Sequence, residues 1–125
     1  MAGFSGAPQR QSEGEKKHRP SLLEVHVFAG LGPDGHLASL FPNRPEKHIT
    51  DRPVVAVPEA GLEPFVPRIS LTFPAINNAD RKIFLVTGEN KQEALQRAFG
   101  DSPDQELLAA RVRPVTVYVD RAAAG

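Results

Sequence analysis

Prolines and glycines interrupt this chain so often that only short helices and strands fit between them. The 125 residues contain 12 prolines and 10 glycines, and both residue types tend to end or bend a regular element. Between these interruptions, short apolar segments of strand type alternate with short segments of helix type. Such alternation predicts an α/β fold with a mostly parallel sheet and short flanking helices.

The apolar patterns and the breaks between them give the bounds of the expected elements. The predicted strands are Leu22–Gly30, Val54–Val57, Arg68–Phe73, Lys82–Thr87 and Pro114–Val119. The predicted helices are His36–Leu40, Pro74–Asp80, Glu89–Phe99, Asp104–Ala110 and Arg121–Ala124, the last with Asp120 as its N-cap. The first strand is apolar almost throughout, which favours a buried parallel strand.

Composition and charge argue against several classes of function. Fifteen basic residues balance fifteen acidic ones, whereas a general nucleic-acid-binding protein usually carries a basic excess. The absence of cysteine excludes disulfides, cysteine-bound zinc and a thiol nucleophile. Because no apolar run reaches about 18 residues, we expect no membrane partner. Because the N-terminus lacks the apolar core of a secretory signal, we expect the cytoplasm as location.

Residues 1–20 differ in composition from the rest of the chain. They are rich in charged side chains, and Phe4 is their only large apolar residue besides Met1. Burial of so little apolar surface cannot offset the entropy that is lost on ordering. We therefore predict a disordered tail over residues 1–20 and a folded region over residues 21–125.

A glycine-rich turn after the first predicted strand is the strongest functional feature. It reads Gly-Leu-Gly-Pro-Asp-Gly-His over residues 30–36. Ligands of α/β proteins bind at the carboxyl ends of strands, and glycines there let the backbone approach a substrate closely. Asp34 and His36 lie two residues apart, and a histidine beside a carboxylate can act as a general base. The pattern is also compatible with a tight turn whose histidine caps the next helix.

Gly30, Gly32 and Gly35 also satisfy the G-x-G-x-x-G pattern of dinucleotide-binding proteins. That pattern needs a long helix after the turn, and Pro42 and Pro45 stop the helix too early. We therefore consider a dinucleotide site a poor fit.

Two cations are candidates for binding an anionic group. Arg68 shares a strand face with Ser70 and Thr72, an arrangement suited to an oxyanion. Lys91 follows Gly88 where a predicted strand meets a predicted helix, and N–H groups and the helix dipole favour phosphate at such a place. Each residue is also compatible with an ordinary solvated surface cation. The histidines and carboxylates show no spacing typical of a metal site.

Four blocks of sequence resemble the 6-phosphogluconolactonase family, within the wider superfamily of sugar-phosphate isomerases and deaminases. They follow the family's order over about Val25–Ala124, and together they are far more specific than any single block. The blocks are Gly30–Pro42, Arg68–Thr72 with Pro74–Ala79, Thr87–Leu95 and Asp120–Ala124.

The resemblance implies hydrolysis of 6-phospho-D-glucono-1,5-lactone to 6-phosphogluconate in the oxidative pentose phosphate pathway, with no metal or organic cofactor. It implies that His36 activates the attacking water, that Asp34, Gly32 and Gly35 position this histidine, and that N–H groups of the turn stabilise the oxyanion. It also implies that Arg68 and Lys91 contact the substrate phosphate. A sugar-phosphate deaminase or isomerase is the alternative within the superfamily. The run Ser-Leu-Phe-Pro over residues 39–42 suits the lactonase branch, because the deaminase branch carries an Asn-Glu-Pro run there.

The chain departs from the family in length. The family's N-terminal half, which supplies several parallel strands and a Gly/Ser-rich phosphate loop, has no counterpart in this sequence. We therefore predict that residues 21–125 are the C-terminal half of an incomplete Rossmann-like domain, with an exposed sheet edge and exposed apolar helix faces. Three interpretations stay open: a fragment of a full enzyme, one half of a protein that self-associates or pairs with a complementary N-terminal half, and a remnant with a non-catalytic binding or interaction role.

Overall fold

Strands and helices alternate along the chain, as the apolar pattern predicts. The computed structural model describes residues 24–125. Within this range the strands are β1 (His26–Ala29), β2 (Val54–Val57), β3 (Arg68–Leu71), β4 (Arg81–Val86) and β5 (Thr116–Val119). The α-helices are α1 (Phe73–Asn77), α2 (Gln92–Phe99), α3 (Leu108–Arg111) and α4 (Arg121–Ala124), and 3-10 helices span Pro45–His48 and Glu89–Lys91.

The strands form one parallel sheet and one antiparallel pair. β1, β4 and β5 run parallel in the order β1-β4-β5. The apolar run of β4 over residues 83–86 suits its central position, because a central parallel strand meets other residues on both faces. β2 and β3 pair antiparallel, with Val55 opposite Ser70. The predicted α/β fold with a mostly parallel sheet is confirmed.

The hydrophobic core lies on one side of the parallel sheet. Phe84 and Val86 of β4 are buried on this side. Phe84 packs edge-on against Phe99 of α2, with the two ring centroids 5.2 Å apart. Ala94 and Ala98, on the inner face of α2, belong to the same core. The small side chains of this helix therefore allow it to pack closely on the sheet.

Within residues 24–125 the other side of the parallel sheet is uncovered. Phe28 of β1 is 66% exposed, Leu85 of β4 is 52% exposed and Tyr118 of β5 is 49% exposed. Leu85 and Tyr118 are register partners, and Phe28 pairs with the β4 residue two positions before Leu85, so the three side chains lie on one face. We call these three residues the uncovered face. The prediction of a buried first strand is wrong on this side. The sequence predicts apolar exposure at a sheet edge and on helix faces, whereas these three exposed side chains lie on the face of the sheet.

The predicted helix His36–Leu40 is wrong. Leu40 N–H donates to the carbonyl oxygen of Leu37 at 2.8 Å, so residues 37–40 form a tight turn. Ala38 has φ 54°, which a right-handed helix does not allow. The side chains of Leu37 and Leu40 are both buried. A tight turn brings both into the core, and this tertiary burial overrides the local preference for a helix.

Smaller differences concern where elements begin and end. β3 stops at Leu71, two residues before the predicted bound, because Phe73 and Pro74 already form the first turn of α1. The predicted helix Glu89–Phe99 begins as a 3-10 helix. The predicted N-cap of α4 is confirmed, since the Asp120 carboxylate accepts the N–H of the third helical residue at 2.8 Å.

The predicted tail over residues 1–20 and the predicted start of the first strand at Leu22 lie outside the described residues. The division of the chain at residue 21 therefore stays a prediction. Across residues 24–125, no helix combines the length and the apolar character needed to cross a bilayer.

Candidate active site

The glycine-rich turn lies at the carboxyl end of β1. The strand ends at Ala29, and the chain turns through residues 30–36 directly beyond it. Because β4 runs parallel beside β1, the carboxyl end of β4 and the residues after it face the same edge of the sheet. This edge is where α/β sheets bind their ligands.

Asp34 and His36 form a tight pair in this turn. Asp34 Oδ1 lies 2.6 Å from His36 Nδ1, and the same oxygen accepts the backbone N–H of His36 at 3.0 Å. Because an ionised carboxylate only accepts hydrogen bonds, a neutral His36 ring paired with it carries its proton on Nδ1 and its lone pair on Nε2. The His36 side chain is 21% exposed and that of Asp34 is 26% exposed. The pair is thus partly shielded and still open to a small molecule.

Gly32 and Gly35 hold this pair by close packing. A Cβ on Gly32 would overlap the His36 ring. Gly35 has φ 91°, and a Cβ there would lie 2.9 Å from the side chain of Leu107. The geometry of the turn therefore favours glycine at both positions, and the positioning role that the resemblance implies for them stays a prediction.

The N–H groups of these glycines do not point toward a substrate. Gly32 N–H donates to the carbonyl oxygen of His36 at 3.0 Å, and Gly35 N–H donates to that of Gly32 at 2.9 Å. His36 N–H donates to Asp34. Each of these three N–H groups therefore closes the turn in this conformation, and the oxyanion role expected of N–H groups of the turn stays a prediction.

Arg68 lies near His36 through a shared aromatic ring. The His36 ring packs on Phe41, with ring centroids 4.5 Å apart. The guanidinium carbon of Arg68 lies 5.8 Å from the centroid of the same ring. Arg68 Nη2 donates to the carbonyl oxygen of Pro64 at 3.0 Å, whereas its buried Nε has no hydrogen-bond partner within residues 24–125. The guanidinium is therefore held by the hydrogen bond from Nη2, whereas its Nε donates no hydrogen bond within the described residues.

Phe41 is a residue of the candidate site that sequence reasoning missed. Its ring is 1% exposed and contacts both His36 and Arg68. A signal was present, because Phe41 is a bulky aromatic residue that follows the turn and precedes a proline. The sequence alone does not show that one ring lies between a base and a cation from a distant strand.

Ser70 and Thr72 do not offer their hydroxyl protons to an anion. Ser70 Oγ donates to the carbonyl oxygen of Leu71 at 2.8 Å, and Thr72 Oγ1 donates to that of Arg52 at 2.7 Å. Both side chains are buried, whereas Ile69, on the other face of β3, is 78% exposed. The polar face of β3 is therefore its inner face, and the predicted oxyanion arrangement around these hydroxyls is wrong.

Lys91 lies at the same edge of the sheet as the Asp34–His36 turn. It ends the 3-10 helix that follows β4, and its side chain is half-buried. Within the described residues, its ammonium makes no ion pair or hydrogen bond. At this junction Gly88 N–H donates to the Asp120 carboxylate at 3.2 Å. The Asp120 carboxylate therefore already accepts one N–H group of the junction at which the sequence predicts phosphate binding.

Among residues 24–125, no group of three or more histidine, aspartate or glutamate side chains could hold a metal ion.

Comparison with known proteins supplies the family context. The sequence matches the family model described as glucosamine-6-phosphate isomerases/6-phosphogluconolactonase over residues 12–120. It is 38% identical over 102 residues to 6-phosphogluconolactonase of Homo sapiens, a match that covers 78% of this chain and 39% of the human protein. It is 46% identical over 74 residues to 6-phosphogluconolactonase of Caulobacter vibrioides, covering 55% of this chain and 32% of that protein.

Solved structures support the same relationship. The structure of 6-phosphogluconolactonase from Trypanosoma brucei superposes with a TM-score of 0.69 at 29% identity, covering 80% of this chain and 41% of that one. The chain therefore spans well under half the length of these relatives.

Proposed function

This chain belongs to the family of glucosamine-6-phosphate isomerases and 6-phosphogluconolactonases, and we propose that it carries lactonase chemistry at the Asp34–His36 turn. The substrate is 6-phospho-D-glucono-1,5-lactone and the product is 6-phosphogluconate. The observation that supports this most directly is the 2.6 Å contact between Asp34 Oδ1 and His36 Nδ1, which leaves Nε2 free to accept a proton. We expect the reaction in the cytoplasm.

The proposed mechanism is general base catalysis followed by general acid catalysis. His36 Nε2 takes a proton from water while the water oxygen bonds to the lactone carbonyl carbon. The tetrahedral intermediate then breaks the bond between that carbon and the ring oxygen, and His36 returns the proton to the leaving oxygen. Asp34 stabilises the transient imidazolium and keeps the ring oriented.

Arg68 is the proposed partner of the substrate phosphate. Its fixed position beside Phe41 supports this role, because a guanidinium binds phosphate through several donors. Lys91 is the second proposed cation, since it lies beyond β4 at the same sheet edge. Like Arg68, it is proposed to contact the substrate phosphate.

The proposed partner protein is a complementary N-terminal half of the family's domain. Two observations support it: the chain spans 39% of the human relative, and the uncovered face exposes Phe28, Leu85 and Tyr118. Apolar side chains exposed together mark surfaces that bind other protein segments. Self-association through the same face is the competing arrangement.

The decisive experiment measures lactone hydrolysis with and without such a half. The purified chain is assayed alone and after co-expression with the unmatched portion of the human relative, and spontaneous hydrolysis is subtracted. We expect hydrolysis in the co-expressed sample and a loss of at least about 100-fold in His36→Ala. His48→Ala is the matched control, because His48 is exposed at the end of a 3-10 helix away from the turn.

A well-folded complex that adds nothing to the spontaneous rate would exclude the lactonase function. The second candidate, a non-catalytic binding role, is supported by the short match to the relatives. It predicts that the folded chain binds 6-phosphogluconate without turnover, and that Arg68→Ala, but not His36→Ala, weakens this binding.

A further inference from the structure

A hydrogen bond joins the loop that follows His36 to the strand that carries Arg68. Ser70 Oγ, on β3, accepts the backbone N–H of Ser39 at 3.1 Å while donating to the carbonyl oxygen of Leu71 at 2.8 Å. Ser70 is 5% exposed, so water competes little for either bond. The hydroxyl therefore donates to one backbone carbonyl, that of Leu71, and accepts from one backbone N–H, that of Ser39.

The bonded loop is a turn with an unfavourable backbone conformation. Ala38 has φ 54°, a left-handed conformation that costs a residue with a Cβ some free energy. Such a conformation persists only where surrounding contacts fix it. Ser39 follows Ala38 directly, so the bond from Ser39 N–H to Ser70 holds the turn at this point.

The turn sets the relative position of His36 and Phe41, which lie just before and just after residues 37–40. Their rings are in contact, and Phe41 in turn lies under the Arg68 guanidinium. β3 carries Arg68 and Ser70 two residues apart. A single strand therefore positions the proposed phosphate-binding cation and anchors the loop beside the proposed base.

We propose that Ser70 is a positioning residue that fixes the His36 ring relative to Arg68 through its bond to Ser39 N–H, an inference whose kinetic consequence rests on the proposed lactonase function. Without the hydroxyl, Ser39 N–H loses its partner and the turn at Ala38 relaxes. His36 then samples orientations that do not suit proton transfer. Arg68 keeps its own bond to Pro64, so substrate binding changes little.

Three variants test this role. Ser70→Ala removes the acceptor, and Ser70→Thr keeps a hydroxyl at the same place. Thr72→Val is the matched control, because it removes a neighbouring buried hydroxyl that donates to Arg52 instead of bonding to the His36 loop. Ser70→Cys, which keeps the volume and weakens the acceptor, replaces Ser70→Ala if that variant does not fold.

The first readout is structural and needs no activity. In NMR spectra of the folded chain, we expect Ser70→Ala to speed hydrogen exchange of the Ser39 amide about tenfold or more, as loss of one hydrogen bond implies. We also expect it to weaken the cross-peaks between the His36 and Phe41 rings. Ser70→Thr should restore both signals, and Thr72→Val should change neither.

The second readout is kinetic and uses the active sample. We expect Ser70→Ala to lower kcat about tenfold with KM within about twofold of the parent value, since only the orientation of the base is lost. Unchanged His36 and Phe41 signals in Ser70→Ala, or equal disturbance in Thr72→Val, would overturn the positioning role. If no variant and no parent sample hydrolyses the lactone, the proposed function fails, and the NMR comparison alone decides the role of Ser70.

Discussion

At the scale of single residues, Gly35 illustrates how closely the turn is packed. It combines φ 91° with a neighbour, Leu107, that leaves no room for a Cβ. Gly35→Ala is expected to lower the free energy of unfolding by about 2–4 kcal/mol, from left-handed strain and overpacking together. Urea unfolding followed by circular dichroism measures this change.

Gly30 offers a matched control within the same turn. A Cβ on Gly30 meets nothing within 4 Å, and its φ lies outside the left-handed region. Gly30→Ala should therefore change the unfolding free energy by less than about 0.5 kcal/mol. Equal effects in the two variants would show that packing against Leu107 does not govern the turn.

The residues of the candidate site were predictable to different degrees. Asp34 and His36 were accessible from sequence, because two residues in one short turn must lie close together. The inner position of Ser70 was not accessible, because alternation shows that two faces differ but not which one meets the core. β3 turns its polar face inward since Val55 and Val57 of β2 are buried on that side and backbone carbonyls satisfy the hydroxyls.

At the scale of elements, local sequence determined most of what was predicted correctly. β2 has the predicted bounds, and α4 begins at its predicted cap, because proline and aspartate act over one or two residues. The predicted helix at residues 36–40 is instead replaced by a turn, which is stabilised by burial of two leucines and by a hydrogen bond to β3. Such long-range contacts leave no periodic pattern in the sequence.

The end of α2 is tied to the following loop by a pair whose strength depends on pH. Arg97 Nη2 donates to Asp104 Oδ2 at 2.9 Å, and Asp104 Oδ1 accepts the N–H of Glu106. The hydrogen bond from Arg97, followed by that from Glu106, lowers the pKa of Asp104 below its usual value. The folded chain therefore binds this proton less readily than the unfolded chain.

The Arg97–Asp104 pair stabilises the folded chain only while Asp104 is ionised. The stabilisation is complete above the usual aspartate pKa, about 4, and is lost as the pH falls through the lower folded value. Arg97→Gln should therefore make the urea midpoint less sensitive to pH between pH 5 and the acid limit of folding. Arg111→Gln is the control, because Arg111 donates to a backbone carbonyl and not to a carboxylate. Parallel pH profiles for parent and Arg97→Gln would contradict the assignment.

At the scale of the whole molecule, other elements cover the parallel sheet on one side only. The core side is closed by helices, whereas the uncovered face exposes apolar side chains from all three strands. The balanced charge of the chain supplies no long-range repulsion between copies. We therefore expect the isolated chain to associate through this face when no complementary half is present.

Phe28→Lys tests this expectation, since Phe28 is the most exposed residue of the uncovered face. In the isolated chain it should change the unfolding free energy little, because the ring gains little from burial there. It should weaken association, with the complementary half or with a second copy, about tenfold or more, as expected for an exposed aromatic residue that an interface buries. Sedimentation velocity over a concentration series measures both kinds of association.

Ile69→Lys is the matched control, because Ile69 is 78% exposed on the outer face of β3 and lies outside the uncovered face. If both variants weaken association equally, general hydrophobicity drives it; if Phe28→Lys alone does so, the parallel sheet is the surface that a partner completes.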